Sequence, residues 1–239
     1  MGKRTKQLRT AASLIGILLA ASLQPGNAAA RASKTVRRIL VFGDSLSEGF
    51  GLRPSQAYPA LLTEKLRQAG LDFEIINASQ TGGTTGDGLE RLPAHLKSRI
   101  DIFIVELGIN DLFRGIPVDQ IRDNLQEILD RVKRANPNVQ IVICGMQLPD
   151  YSADDYVAAF GRMFADLATK NNAALVPYLL EGVGGDPLLN QADRIHPNAA
   201  GQKILAENVW RVLEPIARQV AVIPNASEGP HLQSVDHTN

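Results

Sequence analysis

The chain has 239 residues, 44% of them hydrophobic, and its 25 basic and 25 acidic side chains leave no formal net charge. That size and apolar content suffice for one globular domain with a full core and require no second one. The charge balance carries no footprint of nucleic-acid binding, and a single cysteine, Cys144, excludes an intramolecular disulfide.

In chain order, Lys3, Arg4, Lys6 and Arg9 precede an apolar run from Ala11 to Leu23, and Ala28, Ala29 and Ala30 follow. This is the order of a secretory signal peptide over residues 1–30, with cleavage expected after Ala30 and delivery to the periplasm or the exterior. The run is shorter than the about 20 apolar residues of a bilayer span. Position six is not Ser or Thr, as myristoylation needs, and no cysteine follows the run for a lipoprotein anchor, so no stable membrane anchor is expected. Removing residues 1–30 takes away four basic residues and no acidic one, leaving 21 against 25 and a formal charge of −4.

The remainder alternates short apolar runs with helical patterns. A strand is predicted at 38–42, a helix at 55–69, a strand at 73–77, a helix at 86–98 and a strand at 102–107. Next, Ile121, Leu125, Ile128, Leu129 and Val132 recur at helical spacing, with Asp119 and Asp123 favouring the helix start and Arg131, Lys133 and Arg134 its end. A strand at 139–145, a helix at 154–171, a strand at 174–178 and a helix at 197–219 complete the series. Each run is rich in Val, Ile or Leu and short enough for a strand buried on both faces. Cys144 lies in such a run and reads as a buried small hydrophobe. The order predicts an α/β fold with a five-stranded parallel sheet between helices, over a domain at 34–222. Residues 223–239, with few apolar groups, are expected to be a disordered tail.

In such sheets the ligand site lies outside the carboxyl ends of the strands. Four segments there carry unusual chemistry: Gly43-Asp44-Ser45-Leu46-Ser47, Asn77 to Thr84 with Gly82-Gly83, Gly108-Ile109-Asn110-Asp111, and Asp193-Arg194-Ile195-His196-Pro197-Asn198. Singly each has a bland reading: Ser45 or Asp193 caps a helix, Gly82-Gly83 makes a turn, Asn110 holds a loop. Jointly they supply serine catalysis, which needs an activated hydroxyl, a base, a group orienting the base, and donors aimed at the oxyanion. Ser45 is the candidate nucleophile, His196 the base and Asp193 its orienting partner. The Ser45 and Gly82 N–H groups and the Asn110 side-chain amide are the candidate oxyanion hole, with a helix N-terminus behind Ser45 favouring negative charge. Asp44 reads as structural, bonding neighbouring loop amides. No Cys-x-x-Cys pair or His/Cys cluster supports a metal site.

Gly43-Asp44-Ser45-Leu46-Ser47 followed by Gly82, Asn110 and Asp193-x-x-His196 resembles the GDSL or SGNH hydrolases, whose four blocks supply Ser, Gly, Asn and His in this order. Within that family, Glu106-Leu107-Gly108-Ile109-Asn110-Asp111, the Asp193 to Asn198 stretch and Leu89-Glu90-Arg91-Leu92-Pro93 are most similar to the bacterial arylesterase, acyl-CoA thioesterase I and lysophospholipase group. Gly83 departs from the acidic residue this group often carries. The resemblance implies a flavodoxin-like three-layer α/β/α fold, no cofactor, and a shallow site for a small-molecule ester or acyl substrate. The α/β-hydrolase alternative requires Gly-x-Ser-x-Gly, and Ser47 stands where its second glycine belongs.

Leu112, Phe113 and Ile116, with Leu148 and Pro149, suggest an apolar slot beside Ser45 for acyl or aryl groups. Tyr151 and Tyr156 are further candidates for its lining, with helix-start packing the alternative. A carbohydrate or peptidoglycan O-acetylesterase and a non-catalytic binding protein on the same fold remain competing functions, and the oligomeric state stays open.

Overall fold

A computed structural model describes residues 36–148 and 155–223. The expected signal peptide, Pro149, Tyr151 and residues 224–239 lie outside the described residues. Five strands, β1 (Arg37–Gly43), β2 (Phe73–Asn77), β3 (Ile102–Glu106), β4 (Gln140–Cys144) and β5 (Ala174–Val176), form one sheet in the order β2-β1-β3-β4-β5. Every pair is parallel. This is the doubly wound order in which the chain reverses direction between β1 and β3, opening a crevice at their carboxyl ends.

Helix α1 (Ser45–Glu48) follows β1, α2 (Tyr58–Gln68) leads to β2, and α3 (Thr85–His95) leads to β3. After β3 come α4 (Ile109–Phe113) and α5 (Val118–Ala135), then α6 (Asp155–Asn171) between β4 and β5 and α7 (Ala199–Val222) after β5. Helix α2 packs on α7, while α3 packs on α5 and α5 on α6. Right-handed crossovers put these two groups on opposite faces, completing three layers. The α5 pattern lands as its spacing requires: Ile121, Leu125, Ile128, Leu129 and Val132 are all buried.

The central strands β1, β3 and β4 hold the core, with Ile39, Val41, Phe42, Ile102, Phe103, Ile104 and Val142 at 0% exposure. The edge strands correct the expectation of burial on both faces. In β2 only Phe73 is buried, and Glu74 and Asn77 are exposed because no strand lies beyond them. Strand β5 stops at Val176, because Pro177 has no N–H to continue a ladder. Its partner strand's next residue, Gly145, donates to Val176, and Leu179 then donates back to Gly145.

The predicted helix at 55–69 is broken in two. A 3-10 turn at Pro54–Gln56 precedes α2, with Ala57 extended between them. Pro59 explains the break: its ring fits a first turn but would strike a carbonyl four residues back inside a longer helix. Helix α3 stops at His95 rather than 98, and Ile100 is anchored instead by the Asn136 side chain at 2.8 Å.

Candidate active site

The turn after β1 is built around Asp44. Its Oδ1 accepts the Leu46 N–H at 3.0 Å, capping α1, and its own N–H donates to Glu106 Oε2 at 3.2 Å. Gly49, at φ +82 in the left-handed region, ends the helix after one turn. Ser45 is therefore the first residue of a four-residue helix, with 7% exposure. A helix that short carries little macrodipole, which corrects the expected contribution at this point. What remains local is the Ser45 N–H, which has no partner among the described residues.

His196 arrives from the other end of the chain. Gln191 donates its N–H to the His196 carbonyl at 2.8 Å, and Asn190 and Pro197 form an antiparallel bridge. Asn198 caps α7 by accepting from Ala200 and Gly201, so the helix does not use Asp193 as its cap. In the loop so held, His196 Nε2 lies 3.0 Å from Ser45 Oγ. Asp193 Oδ1 accepts the Ile195 and His196 N–H groups at 3.0 Å each, leaving Oδ2 to meet His196 Nδ1 at 2.7 Å. The imidazole bond, followed by these backbone bonds, lowers the Asp193 carboxyl to about 2. It is thus ionised and oriented at neutral pH, the arrangement that selects the Nδ1–H tautomer and turns Nε2 toward Ser45 as an acceptor.

The third and fourth candidate groups meet beside this turn. Gly82 sits at φ +72, and its carbonyl accepts from Arg114 at 2.9 Å. Its N–H has no partner among the described residues. The Asn110 amide donates to Asp44 Oδ2 at 2.9 Å and to the Gly83 carbonyl at 3.1 Å. Asn110 therefore links the turn that carries Ser45 to the loop that carries Gly82. Asp111 is turned away from the site, binding the Thr85 N–H at 2.9 Å and the Thr85 hydroxyl at 2.5 Å at the start of α3.

The residues expected to line an apolar slot separate. Leu112 is buried in the core, Ile116 and Leu148 pack against it half-buried, and Phe113 is 61% exposed. Tyr156 donates its hydroxyl to the Ile116 carbonyl at 2.7 Å. The sequence reading missed Phe50, whose ring lies 4.6 Å from the His196 ring while remaining 44% exposed. It also missed Gln191, which holds the Phe50 carbonyl at 2.6 Å. Phe50 and Ile195 are both exposed beside His196, the first against its ring and the second next to it in the chain. Beside Gly82 opens a cavity of about 610 Å3 lined by Gln80, Thr81, Asp87, Glu90, Arg91 and Arg114. Among the described residues no group of His, Cys, Asp and Glu is arranged to hold a metal ion, and Cys144 is buried.

Residues 41–204, which span all four segments, match the GDSL-like lipase/acylhydrolase family. The chain is 40% identical to an esterase TesA of Pseudomonas aeruginosa, covering 74% of this chain and 88% of that protein. It is 36% identical to thioesterase 1/protease 1/lysophospholipase L1 of Escherichia coli K12, covering 74% and 84%. The crystal structure of a TesA superposes with a TM-score of 0.71 at 40% identity, covering 75% of this chain and 99% of that one. The chain therefore belongs to the GDSL-like lipase/acylhydrolase family, as an ester hydrolase built on the SGNH fold.

Proposed function

We propose that the chain is a serine esterase acting through an acyl-enzyme on Ser45, with His196 as general base and acid and Asp193 as the residue that orients it. The observation that carries this reading is the hydrogen-bonded relay from Ser45 Oγ to His196 Nε2 at 3.0 Å and from His196 Nδ1 to Asp193 at 2.7 Å. His196 Nε2 takes the Ser45 proton as Oγ attacks the ester carbonyl. The oxyanion is received by the Ser45 and Gly82 N–H groups and the Asn110 amide. His196 then returns the proton to the departing alkoxide or thiolate. In the second half, His196 takes a proton from water, the hydroxide attacks the acyl-enzyme, and the proton passes back to Ser45 Oγ as the acid leaves.

The substrates are carboxylic esters with aryl or short-to-medium acyl groups, extending to acyl thioesters and lysophospholipids. The names of the relatives support that class, and so do the exposed apolar Phe50 and Ile195 beside His196. One observation favours a second reading, an O-acetylesterase acting on carbohydrate: the cavity beside Gly82 is lined by hydrogen-bonding and charged side chains. Residues 1–30 direct export to the periplasm or beyond, 34–222 form the hydrolase domain, and amino-terminal sequencing of the exported protein is expected to begin at Arg31.

The test is hydrolysis of p-nitrophenyl acetate, butyrate and longer esters, and of acetylated xylooligosaccharides, by residues 31–239 beside Ser45→Ala and His196→Ala. Both variants should melt like the parent and lose about a thousandfold or more in kcat. A folded Ser45→Ala protein with parental activity refutes the assignment. A preference for the acetylated sugar over every aryl ester transfers the conclusion to the second reading.

A further inference from the structure

Directly beneath the Ser45 turn lies a buried carboxyl pair that the triad does not use. The β1–β3 register sets Glu106 opposite Gly43, so the last residue of β3 points its carboxyl under the turn that begins at Asp44. Asp44, Ser47, Tyr58 and Glu106 are each at 0% exposure. Glu106 Oε2 accepts from the Ser47 hydroxyl at 2.7 Å and from the Asp44 N–H at 3.2 Å. Ser47 Oγ, having given its own proton to Glu106, takes one from the Tyr58 hydroxyl at 2.8 Å. Oε1 receives no N–H or hydroxyl hydrogen from any described residue.

The Asp44 N–H bond to Oε2 brings the Glu106 carboxyl beside the Asp44 carboxyl, within reach of a hydrogen bond between them. Two carboxyl groups can share such a bond only if one supplies the proton, since ionised carboxylates are acceptors alone. The accounting of acceptors decides which. Asp44 Oδ1 already takes the Leu46 N–H, and Oδ2 already takes an Asn110 N–H. Both are the bonds of an ionised carboxylate. The atom left with neither donor nor role is Glu106 Oε1.

We propose that Glu106 is a positioning residue: its carboxyl is held as a neutral acid whose Oε1 proton is donated to the Asp44 carboxylate, and Asp44 in turn holds the Leu46 N–H and the Asn110 amide. This rests on the serine-esterase reading only in what the turn is for; the protonation of the pair stands by itself. Glu106 thereby acts on two donors of the candidate oxyanion hole without touching substrate. The Ser45 N–H is set by the α1 cap, and the Asn110 amide by its bond to Asp44. Burial, with the Asp44 charge adding to it, holds the Glu106 carboxyl well above its ordinary range. Burial also raises Asp44, to about 6, against the pull of the Leu46 N–H, of Glu106 and of His196. The charged or titratable groups facing the pair are Tyr58 from α2, Arg91 from α3, Asp111 from α4, Cys144 from β4 and His196 from its loop. Above pH about 6 the pair therefore carries one negative charge, on Asp44, with the Glu106 carboxyl held well above its ordinary range.

The test compares the parent with Glu106→Gln and Glu106→Leu by infrared spectroscopy and by pH–rate profiles on p-nitrophenyl acetate. At pH 8 the parent should show the carbonyl stretch of a protonated carboxylic acid, and both variants should lack it. Gln supplies an N–H toward Asp44 and an oxygen toward Ser47, so kcat/KM should stay within about threefold of the parent. Leu supplies neither, and it should lose about tenfold or more and move the acid limb of the profile to higher pH as Asp44 loses its donor. Absence of the acid band in the parent, its survival in Glu106→Gln, or a loss in Gln equal to that in Leu would each overturn the proposal. If Ser45→Ala remains active while the band behaves as expected, the esterase site is misassigned and the carboxyl pair is not.

Discussion

The Asn110 side-chain amide donates to Asp44 at 2.9 Å, joining residues 66 positions apart across the β1–β3 crevice. Its other hydrogen goes to the Gly83 carbonyl at 3.1 Å. The amide is thus held rigid before substrate arrives, and an incoming oxyanion must share one of these hydrogens. Asn110→Ala should lower kcat by about a hundred- to a thousandfold, the usual cost of one oxyanion donor, with KM changed far less. Steady-state kinetics on p-nitrophenyl butyrate checks it, and a loss confined to KM would remove Asn110 from the oxyanion hole.

Asp193 predicts both a rate and a pH dependence. Its carboxyl is lowered from the usual 3.8 to about 2, so below pH about 4 the unfolded chain binds a proton that the native state does not. The stability it adds is fully present above pH about 4 and is lost as pH falls through about 2. Asp193→Asn should narrow the stability gap to the parent over that same window in urea titrations. At neutral pH the Asn amide offers a hydrogen to Nδ1 and favours the wrong tautomer, so kcat should drop by about a hundred- to ten-thousandfold. A stability gap that widens on acidification would contradict the pairing.

Phe50 lies against the His196 ring at 4.6 Å. Because it is half-exposed, Phe50→Ala should leave the melting temperature nearly unchanged. Loss of an aromatic contact of about 0.5–1.5 kcal/mol should lower kcat/KM by roughly two- to tenfold. Equal rates for the two proteins across acetate to octanoate esters would show that Phe50 neither steadies His196 nor meets substrate.

Gln202 is 1% exposed and joins three helices: its Oε1 accepts the Tyr58 N–H at 2.7 Å and its amide donates to the Leu46 carbonyl at 3.0 Å. Gln202→Leu preserves volume and strands both backbone groups, at about 1–3 kcal/mol each. Chemical denaturation should show a loss of roughly 2–6 kcal/mol. A loss below about 1 kcal/mol would mean that both groups find other partners.

Much of the fold was legible because its signals are local. The α5 stripe from Ile121 to Val132 needs only a period of 3.6, and the runs that became β1, β3 and β4 need only β-branched residues between turns. The edge strands were misread because burial on both faces depends on a neighbour, which β2 and β5 lack on one side. The break at Ala57 was legible in principle, since Pro59 announces a first turn rather than a helix interior.

For the candidate site, residue types and spacing pointed to Ser45, Gly82, Asn110, Asp193 and His196 as candidates, because the short segments carrying them follow the sheet's strands. Asp193 and His196 are three apart, and one turn suffices to join them. Everything else required the tertiary structure. Ser45 and His196 are separated by 151 positions and meet only because β1 is central and the loop before α7 returns over its end. Phe50 and Gln191 are ordinary in sequence, and their contacts arise between segments 141 positions apart. Glu106 read as the last residue of a buried strand, and only the β1–β3 register put its carboxyl under Asp44. Sequence alone determined which chemistry the chain carries, since that depends on side-chain type and local period. The meeting of those groups, and the protonation states the burial imposes on them, are properties of three-dimensional proximity and solvent exclusion, which no local pattern encodes.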